Sequence, residues 1–164
     1  MYDLIHGLDR HPLNWARRQK IALGAAQGIS HLYTWLQTPI IHGNLKSKNV
    51  LVDEYYVTHL KNFGLVGLMS PNAAVEMMAT ASLEGYKAPE LPKMKKAYTK
   101  AHIYSFGIFL LEILMGKRPG KNAYGSDEIV DLPSVVKAVV LEEFTMHIFD
   151  PKILRGIRST TNDG

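Results

Sequence analysis

One segment of this chain, from about Lys100 to Met115, has apolar side chains on almost every side of the helix that its spacing predicts. The apolar residues are Ile103, Phe106, Ile108, Phe109, Leu110, Leu111, Ile113 and Leu114. Thr99 is the candidate N-cap, and Gly116 followed by Pro119 predicts the end of the helix. A helix without a polar face is stable only when other elements cover it. The segment therefore predicts a central helix around which the rest of one domain folds.

Two further helices are predicted on either side of this central one. Asn14 is a candidate N-cap for a helix whose apolar residues recur at helical spacing as far as Leu36. Gly24 and Gly28 lie inside that helix, where each costs up to about 1 kcal/mol relative to Ala, so we expect another helix to approach closely there. The third helix is predicted to start after Asp131 as cap, with a proline in its first turn.

Short β-prone runs occupy residues 40–41, 50–52 and 57–60, and a turn around residues 53–54 is predicted to join the last two runs. Between Asn62 and Glu90 the periodicity is lost, and glycines and a proline punctuate the segment, which predicts an irregular, mobile stretch. The expected fold class is mainly α with short β hairpins. One domain is expected over residues 1–154, followed by a polar tail at residues 155–164.

The composition excludes several classes of protein. A chain of 164 residues with 46% hydrophobic and 21% charged residues is too apolar to be disordered, and the absence of cysteine excludes disulfides and thiolate metal sites. The net charge of +4 is scattered apart from a lysine cluster around Lys93, which argues against nucleic-acid binding. Glu112 interrupts the longest apolar run, so we expect no membrane span and a soluble chain.

Three blocks of sequence follow one another in an order that is typical of protein kinases. They are Ile41 to Val52, which contains His-Gly-Asn-Leu-Lys, then Asn62-Phe63-Gly64, then Ala88-Pro89-Glu90. In kinases these positions hold the catalytic loop, the metal-binding triplet and the end of the activation segment. Together with Leu13-Asn14-Trp15 and the run from Tyr104 to Pro119, they make the chain from residue 13 to about 154 resemble the C-terminal lobe of a plant leucine-rich-repeat receptor-like kinase. Within that family it is most similar to the transmembrane kinase-like members, which share its Lys93 to Lys96 run.

The resemblance implies a truncated kinase lobe that has lost its chemistry. The N-terminal lobe and the last helices of the C-terminal lobe are expected to be missing. Asn44 stands at the position of the catalytic base and Asn62 at that of the magnesium-binding aspartate. An amide has negligible basicity, so a contribution of about 10²–10⁴ in rate is lost. Removing a unit charge about 4 Å from a cation also costs on the order of 4 kcal/mol per unit of metal charge. A pseudokinase is predicted.

Other positions match the family pattern, and each also has a structural interpretation. By resemblance, Lys46 contacts a transferred phosphate and Asn49 holds a second magnesium, yet both can simply hydrogen-bond the loop. Leu51 matches the apolar stack under the adenine ring, as do Phe109 and Ile113, although apolar residues there are expected to be core in any case.

Four more matches concern structural contacts. His42 and Phe63 match a stack that links the catalytic loop to the metal triplet. Glu90 matches an acid that pairs with a late arginine. His102 replaces an aspartate that accepts catalytic-loop amides, and a neutral imidazole accepts only one such bond.

The resemblance also sets expectations for ligands, partners and location. Neither ATP nor magnesium is expected to bind tightly, and both matter if residual activity exists. Other receptor-like kinases or signalling proteins are the expected partners, and the intact parent is expected at the cytoplasmic side of the plasma membrane through an upstream segment. A scaffold or allosteric pseudokinase, a residual serine/threonine kinase and a non-functional gene fragment remain the alternatives.

Overall fold

The computed structural model describes residues 1–7, 13–37, 40–87, 98–120, 129–141 and 145–153. Its helices are α1 (Tyr2–His6), α2 (Trp15–Thr34), α3 (Pro71–Leu83), α4 (Tyr98–Met115) and α5 (Leu132–Leu141), and short 3-10 turns cover Ser47–Asn49, Leu65–Leu68 and Thr145–Ile148. Strands β1 (Val50–Val52) and β2 (Thr58–Leu60) pair antiparallel, with Val50 opposite Leu60. Strands β3 (Arg118–Pro119) and β4 (Ile129–Val130) form a short parallel pair that the sequence did not indicate. The predicted class, mainly α with short hairpins, agrees with this architecture.

Helix α4 is the centre of the domain, as predicted. Ile108, Phe109 and Ile113 are almost completely buried in a core to which α1, α2 and β1 contribute. Two details of the prediction were wrong. The helix already begins at Tyr98, so Thr99 lies inside it and is not its cap. Ile103 is 70% exposed, because the described elements leave that side of α4 uncovered.

Helix α2 is fixed at both its start and its middle. Asn14 Oδ1 accepts a hydrogen bond from the backbone N–H of Arg17 at 3.0 Å, which confirms the predicted cap. Arg18 is buried, and its guanidinium donates to the backbone oxygen of Leu13 at 2.8 Å and to the carboxylate of Asp150 at 2.6 Å. It also donates to the backbone oxygen of Ile113. Because these acceptors belong to three different segments, Arg18 ties α2 to the end of α4 and to the last described turn.

The two glycines inside α2 face a strand and not another helix, which corrects the prediction. A Cβ on Gly24 would lie 2.9 Å from the Cβ of Thr58, and a Cβ on Gly28 would lie 3.0 Å from Leu60 Cδ1. Both of these neighbours belong to β2. The glycines therefore allow the hairpin of β1 and β2 to lie directly on α2.

The segment from Asn62 to Glu90 contains a regular helix, where an irregular stretch was predicted. Ser70 caps α3 by accepting from the backbone N–H of Ala73 at 3.4 Å, and Pro71 occupies the first turn. No periodic signal is visible in the sequence, because the apolar residues of α3 are spread around the helix and not gathered on one face. Val75 is 66% exposed, whereas Ala81 is the buried residue near its end.

Of the remaining predictions for local structure, some are confirmed, one is wrong and some lie outside the described residues. Helix α5 begins at Leu132, directly after the predicted cap Asp131, whose carboxylate accepts from Ser134 Oγ at 2.7 Å. The turn between β1 and β2 is formed as expected, because Asp53 Oδ1 accepts two backbone N–H groups. Residues 40–41 are not a strand. The segment with Glu90, the Lys93 to Lys96 run and the tail at 155–164 lie outside the described residues.

Candidate functional site

Three asparagines meet at the centre of the site that the sequence indicated. Asn49 Nδ2 donates to the backbone oxygen of Asn44 at 2.7 Å, and Asn62 Nδ2 donates to Asn49 Oδ1 at 3.1 Å. The loop of residues 41–49 precedes β1 and Asn62 follows β2, so the antiparallel hairpin brings both loop ends to one edge. These two hydrogen bonds link Asn44, at the base position, to Asn49 and Asn62, at the two metal positions.

The backbone around Asn62 is in a conformation that asparagine tolerates well. Asn62 has a φ of 61°, in the left-handed region, and Gly64 has a φ of 71°. The turn between them carries Phe63 to the surface, where its ring is 43% exposed. His42 is completely buried, and the ring that it meets among the described residues is that of His102, so a stack of His42 with Phe63 remains a prediction.

The donor set at this centre does not fit a divalent cation. Magnesium in proteins is held by carboxylates together with phosphate oxygens and water. Here the three side chains are neutral amides, and the Asn49 Oδ1 already accepts the Asn62 amide hydrogen. Within the described ranges no group of three or more His, Cys, Asp or Glu residues could hold a metal ion. These three side chains therefore supply no anionic ligand for a metal ion.

The residue at the base position is not set up to accept a proton. Asn44 Oδ1 is buried, and no described group donates a hydrogen bond to it. A catalytic base is held by a partner that orients it toward the proton it abstracts. The amide at Asn44 is neutral and without such a partner. Its backbone oxygen, in contrast, accepts from Asn49 and so takes part in the structure of the loop.

Lys46 is held by an ion pair with the segment that follows it. Its Nζ lies 2.6 Å from Glu84 Oε2, and Lys48 Nζ lies 3.5 Å from the other oxygen of the same carboxylate. Glu84 is the residue that ends α3, so this contact fastens the activation-segment helix to the loop. The sequence analysis did not identify Glu84, because a single acid in an irregular pattern carries no signal of its partner.

His102 accepts the one hydrogen bond that a neutral imidazole can accept. The backbone N–H of Gly43 donates to His102 Nε2 at 2.8 Å. Because Nε2 accepts, the proton of the neutral ring is on Nδ1, which is buried and has no partner among the described groups. Burial lowers the pKa of His102 to about 4, and the nearby His42 imidazole contributes to the lowering. Burial also lowers the pKa of His42.

The adenine-stack position is at the surface. Leu51 is 49% exposed, so the expectation that it is core is wrong, whereas Phe109 and Ile113 are core as expected. Strand β1 alternates its side chains, and Val50 is the residue that points into the core. Leu51 therefore lies on the open side of the hairpin.

A buried carboxylate below the loop was missed by the sequence analysis. Glu112 is fully buried in α4, and its Oε1 accepts from Ser47 Oγ at 2.8 Å and lies 2.8 Å from His6 Nε2. The hydroxyl of Tyr86 donates to the other oxygen of this carboxylate. Burial and the neighbouring carboxylate raise the pKa of Tyr86. The available signal was a lone acid inside an apolar helix, which is costly unless donors surround it.

The chain is similar in sequence and in fold to known proteins. The protein kinase domain model matches residues 3–152. The kinase-like protein TMKL1 of Arabidopsis thaliana is 54% identical over 166 residues, which is 100% of this chain and 25% of that protein. Relatives from the same plant include leucine-rich-repeat receptor-like kinases at 42% and 39% identity.

Two solved structures have the same fold. The kinase domain of maize SIRK1 bound to AMP-PNP is 30% identical with a TM-score of 0.80, over 92% of this chain and 52% of that one. The pseudokinase domain of BIR2, an immune regulator, is 31% identical with a TM-score of 0.72, over 93% of this chain and 43% of that one. The sequence thus spans about half of these kinase chains and about a quarter of the length of TMKL1. In the described part of the chain, no helix is both long and apolar enough to cross a membrane.

Proposed function

The chain belongs to the protein kinase domain family, and we propose that it is part of a pseudokinase that signals by binding rather than by phosphoryl transfer. The observation that carries this proposal is the pair of hydrogen bonds that connects Asn44, Asn49 and Asn62. Kinase chemistry needs an anionic base at the position of Asn44 and an anionic metal ligand at the position of Asn62, because the reaction moves a proton and a highly charged phosphate. The neutral amides of Asn44 and Asn62 supply neither, and Asn62 is bonded to Asn49.

The ion pair of Lys46 with Glu84 supports the same proposal. A lysine that contacts a transferred phosphate must present its ammonium to the cleft, whereas Lys46 is only 15% exposed and bonded to a carboxylate at 2.6 Å. The pair instead stabilises one arrangement of α3 on the loop. We infer that the retained residues hold a fixed surface, which is the property a scaffold or allosteric partner requires.

The relatives suggest where such a surface would act. TMKL1 is described as kinase-like, and BIR2 is a pseudokinase that regulates immunity. We propose that the intact protein acts with other receptor-like kinases at the cytoplasmic side of the plasma membrane, as the receptor-like relatives suggest.

A second candidate is a residual kinase. Lys46 and Asn49 keep the residue types of the kinase pattern, and the SIRK1 kinase domain binds AMP-PNP. In this chain the same two side chains bond to Glu84 and Asn44, so they serve the loop structure. If the chain is a residual kinase, a bound nucleotide must break these two hydrogen bonds.

The test uses the intact protein that contains this sequence. Phosphate transfer from radiolabelled ATP with magnesium is measured for the natural protein and for Asn44→Asp with Asn62→Asp. We expect no incorporation above background for the natural protein, and no rise in melting temperature with ATP and magnesium, because a ligand that does not bind the folded state cannot stabilise it. Incorporation by the natural protein that disappears in Lys46→Met would refute the proposal. Activity gained by the double variant would show that the two amides are the cause of inactivity.

A further inference from the structure

A cavity of about 260 Å³ lies between the end of α3 and the start of α5, away from the asparagine centre. Its polar lining consists of Ser82, Lys87, Tyr104, Asp131 and Ser134. The apolar lining comes from the turn after β3 and from the first residues of α5. Lys87 supplies the cation of this lining, and no part of the proposed function uses it.

The ammonium of Lys87 is half-buried and has no hydrogen bond or ion pair with a described residue. Asp131 lines the same cavity, but its carboxylate accepts from Ser134 and forms no ion pair with Lys87. From α4 the titratable group that faces the cavity is the phenol of Tyr104. At the end of α3 the nearby carboxylate, Glu84, is held by two other lysines.

Burial without an ion pair to a described residue has a direct chemical consequence. It lowers the pKa of the Lys87 ammonium from 10.5 to about 8. An ordinary lysine is neutral in about one molecule in a thousand at pH 7.4, whereas an amine with a pKa near 8 is neutral in about one in five. Only the neutral amine has the lone pair that attacks a carbonyl carbon, and desolvation is a known way to activate a lysine.

We propose that Lys87 is a preferred site of acylation by acyl thioesters. The Nζ lone pair attacks the thioester carbonyl carbon, so that an N–C bond forms and the C–S bond breaks. The thiolate leaves with the bonding electron pair, and the nitrogen loses one proton to solvent. The product is a neutral amide, which removes the cation from the lining that Lys87 shares with Asp131.

The test treats the 164-residue chain with acetyl-coenzyme A from pH 6.5 to 9.5 and quantifies acetylation at each lysine by mass spectrometry. The internal references are the exposed Lys61 and Lys137. We expect Lys87 to react about tenfold faster than the references near neutral pH, because a larger neutral fraction outweighs the weaker nucleophilicity of a less basic amine. Its rate should level off above pH 8, while the reference rates keep rising.

A matched pair of variants tests whether the cavity is the cause. Ser82→Asp places a carboxylate in the cavity, which should raise the pKa of Lys87 and slow its acetylation several-fold. Ser82→Asn has nearly the same size and no charge, and should leave the rate unchanged. In concentrated urea the preference for Lys87 should disappear. Equal rates at Lys87 and the reference lysines in the folded chain, or a preference that survives in urea, would overturn the proposal.

Discussion

The carboxylate of Glu112 is the buried point on which three donors from distant segments converge, so its charge should make a measurable contribution to stability. Ser47 Oγ and His6 Nε2 each lie 2.8 Å from Oε1, and the hydroxyl of Tyr86 donates to Oε2. The change Glu112→Gln keeps the shape of the side chain and removes its charge. It therefore keeps the packing, while it removes the charge and replaces one acceptor oxygen by an NH2 donor.

The expected magnitude follows from the number of contacts. A hydrogen bond to a charged group contributes about 1.5–3 kcal/mol to stability, and a neutral one about 0.5–1.5 kcal/mol. Each of the three contacts should lose about 1 kcal/mol, so we expect Glu112→Gln to lower the free energy of unfolding by about 3 kcal/mol. Domains are stable by only about 5–15 kcal/mol, so this loss is large.

The assay is urea denaturation of the chain followed by circular dichroism. The unfolding midpoint should fall by about 1–3 M, with an unchanged dependence on urea concentration. Glu76→Gln, on an exposed face of α3, is the control and should change the free energy by less than about 0.5 kcal/mol. A loss below about 1 kcal/mol for Glu112→Gln would refute the reasoning, since the carboxyl would then be behaving as a neutral acceptor.

Four further outcomes can be checked by the same unfolding measurements. Gly24→Ala should destabilise the chain by about 1–3 kcal/mol because its Cβ would meet β2. Gly107→Ala has open space and should stabilise α4 by up to about 1 kcal/mol, so equal effects would contradict this reasoning. Asp150→Asn should cost about 3–5 kcal/mol, because it leaves the buried Arg18 guanidinium without its anion, and a neutral result would contradict this. The low pKa of His102 means that the unfolded chain binds more protons between pH 6.5 and about 4, so stability should be complete above pH 6.5 and fall as pH falls through that range. His102→Gln should reduce this fall, and an unchanged pH profile would show that His102 is not its source.

The interpretation of the two asparagines depends on what surrounds them. From the sequence, Asn44 and Asn62 are neutral residues where the family pattern has acids. From the structure, Asn62 also bonds to Asn49, which bonds to the Asn44 backbone. Replacing a single asparagine by aspartate would therefore leave the other amides in place, which is why the proposed test changes Asn44 and Asn62 together.

The sequence by itself determined the features that depend on neighbouring residues. The cap at Asn14, the start of α5 after Asp131 and the turn at Asp53 were predictable, because in each case a side chain bonds to backbone or side-chain groups within a few residues. The central position of α4 was predictable because its apolar pattern has no polar face. The exception among local features is α3, whose side chains carry no periodic signal.

Only the tertiary structure decided the contacts between distant parts of the chain. Lys46 meets Glu84 across 38 residues, Ser47 meets Glu112 across 65, and His6 meets Glu112 across 106. The glycines of α2 likewise contact β2 and not a helix. The type of a residue determines which hydrogen bonds its side chain can donate or accept. Which group becomes its partner depends on how folding brings separate segments together. The residues of the site were therefore visible in the sequence, whereas the ion pair on Lys46 and the donors around Glu112 were not.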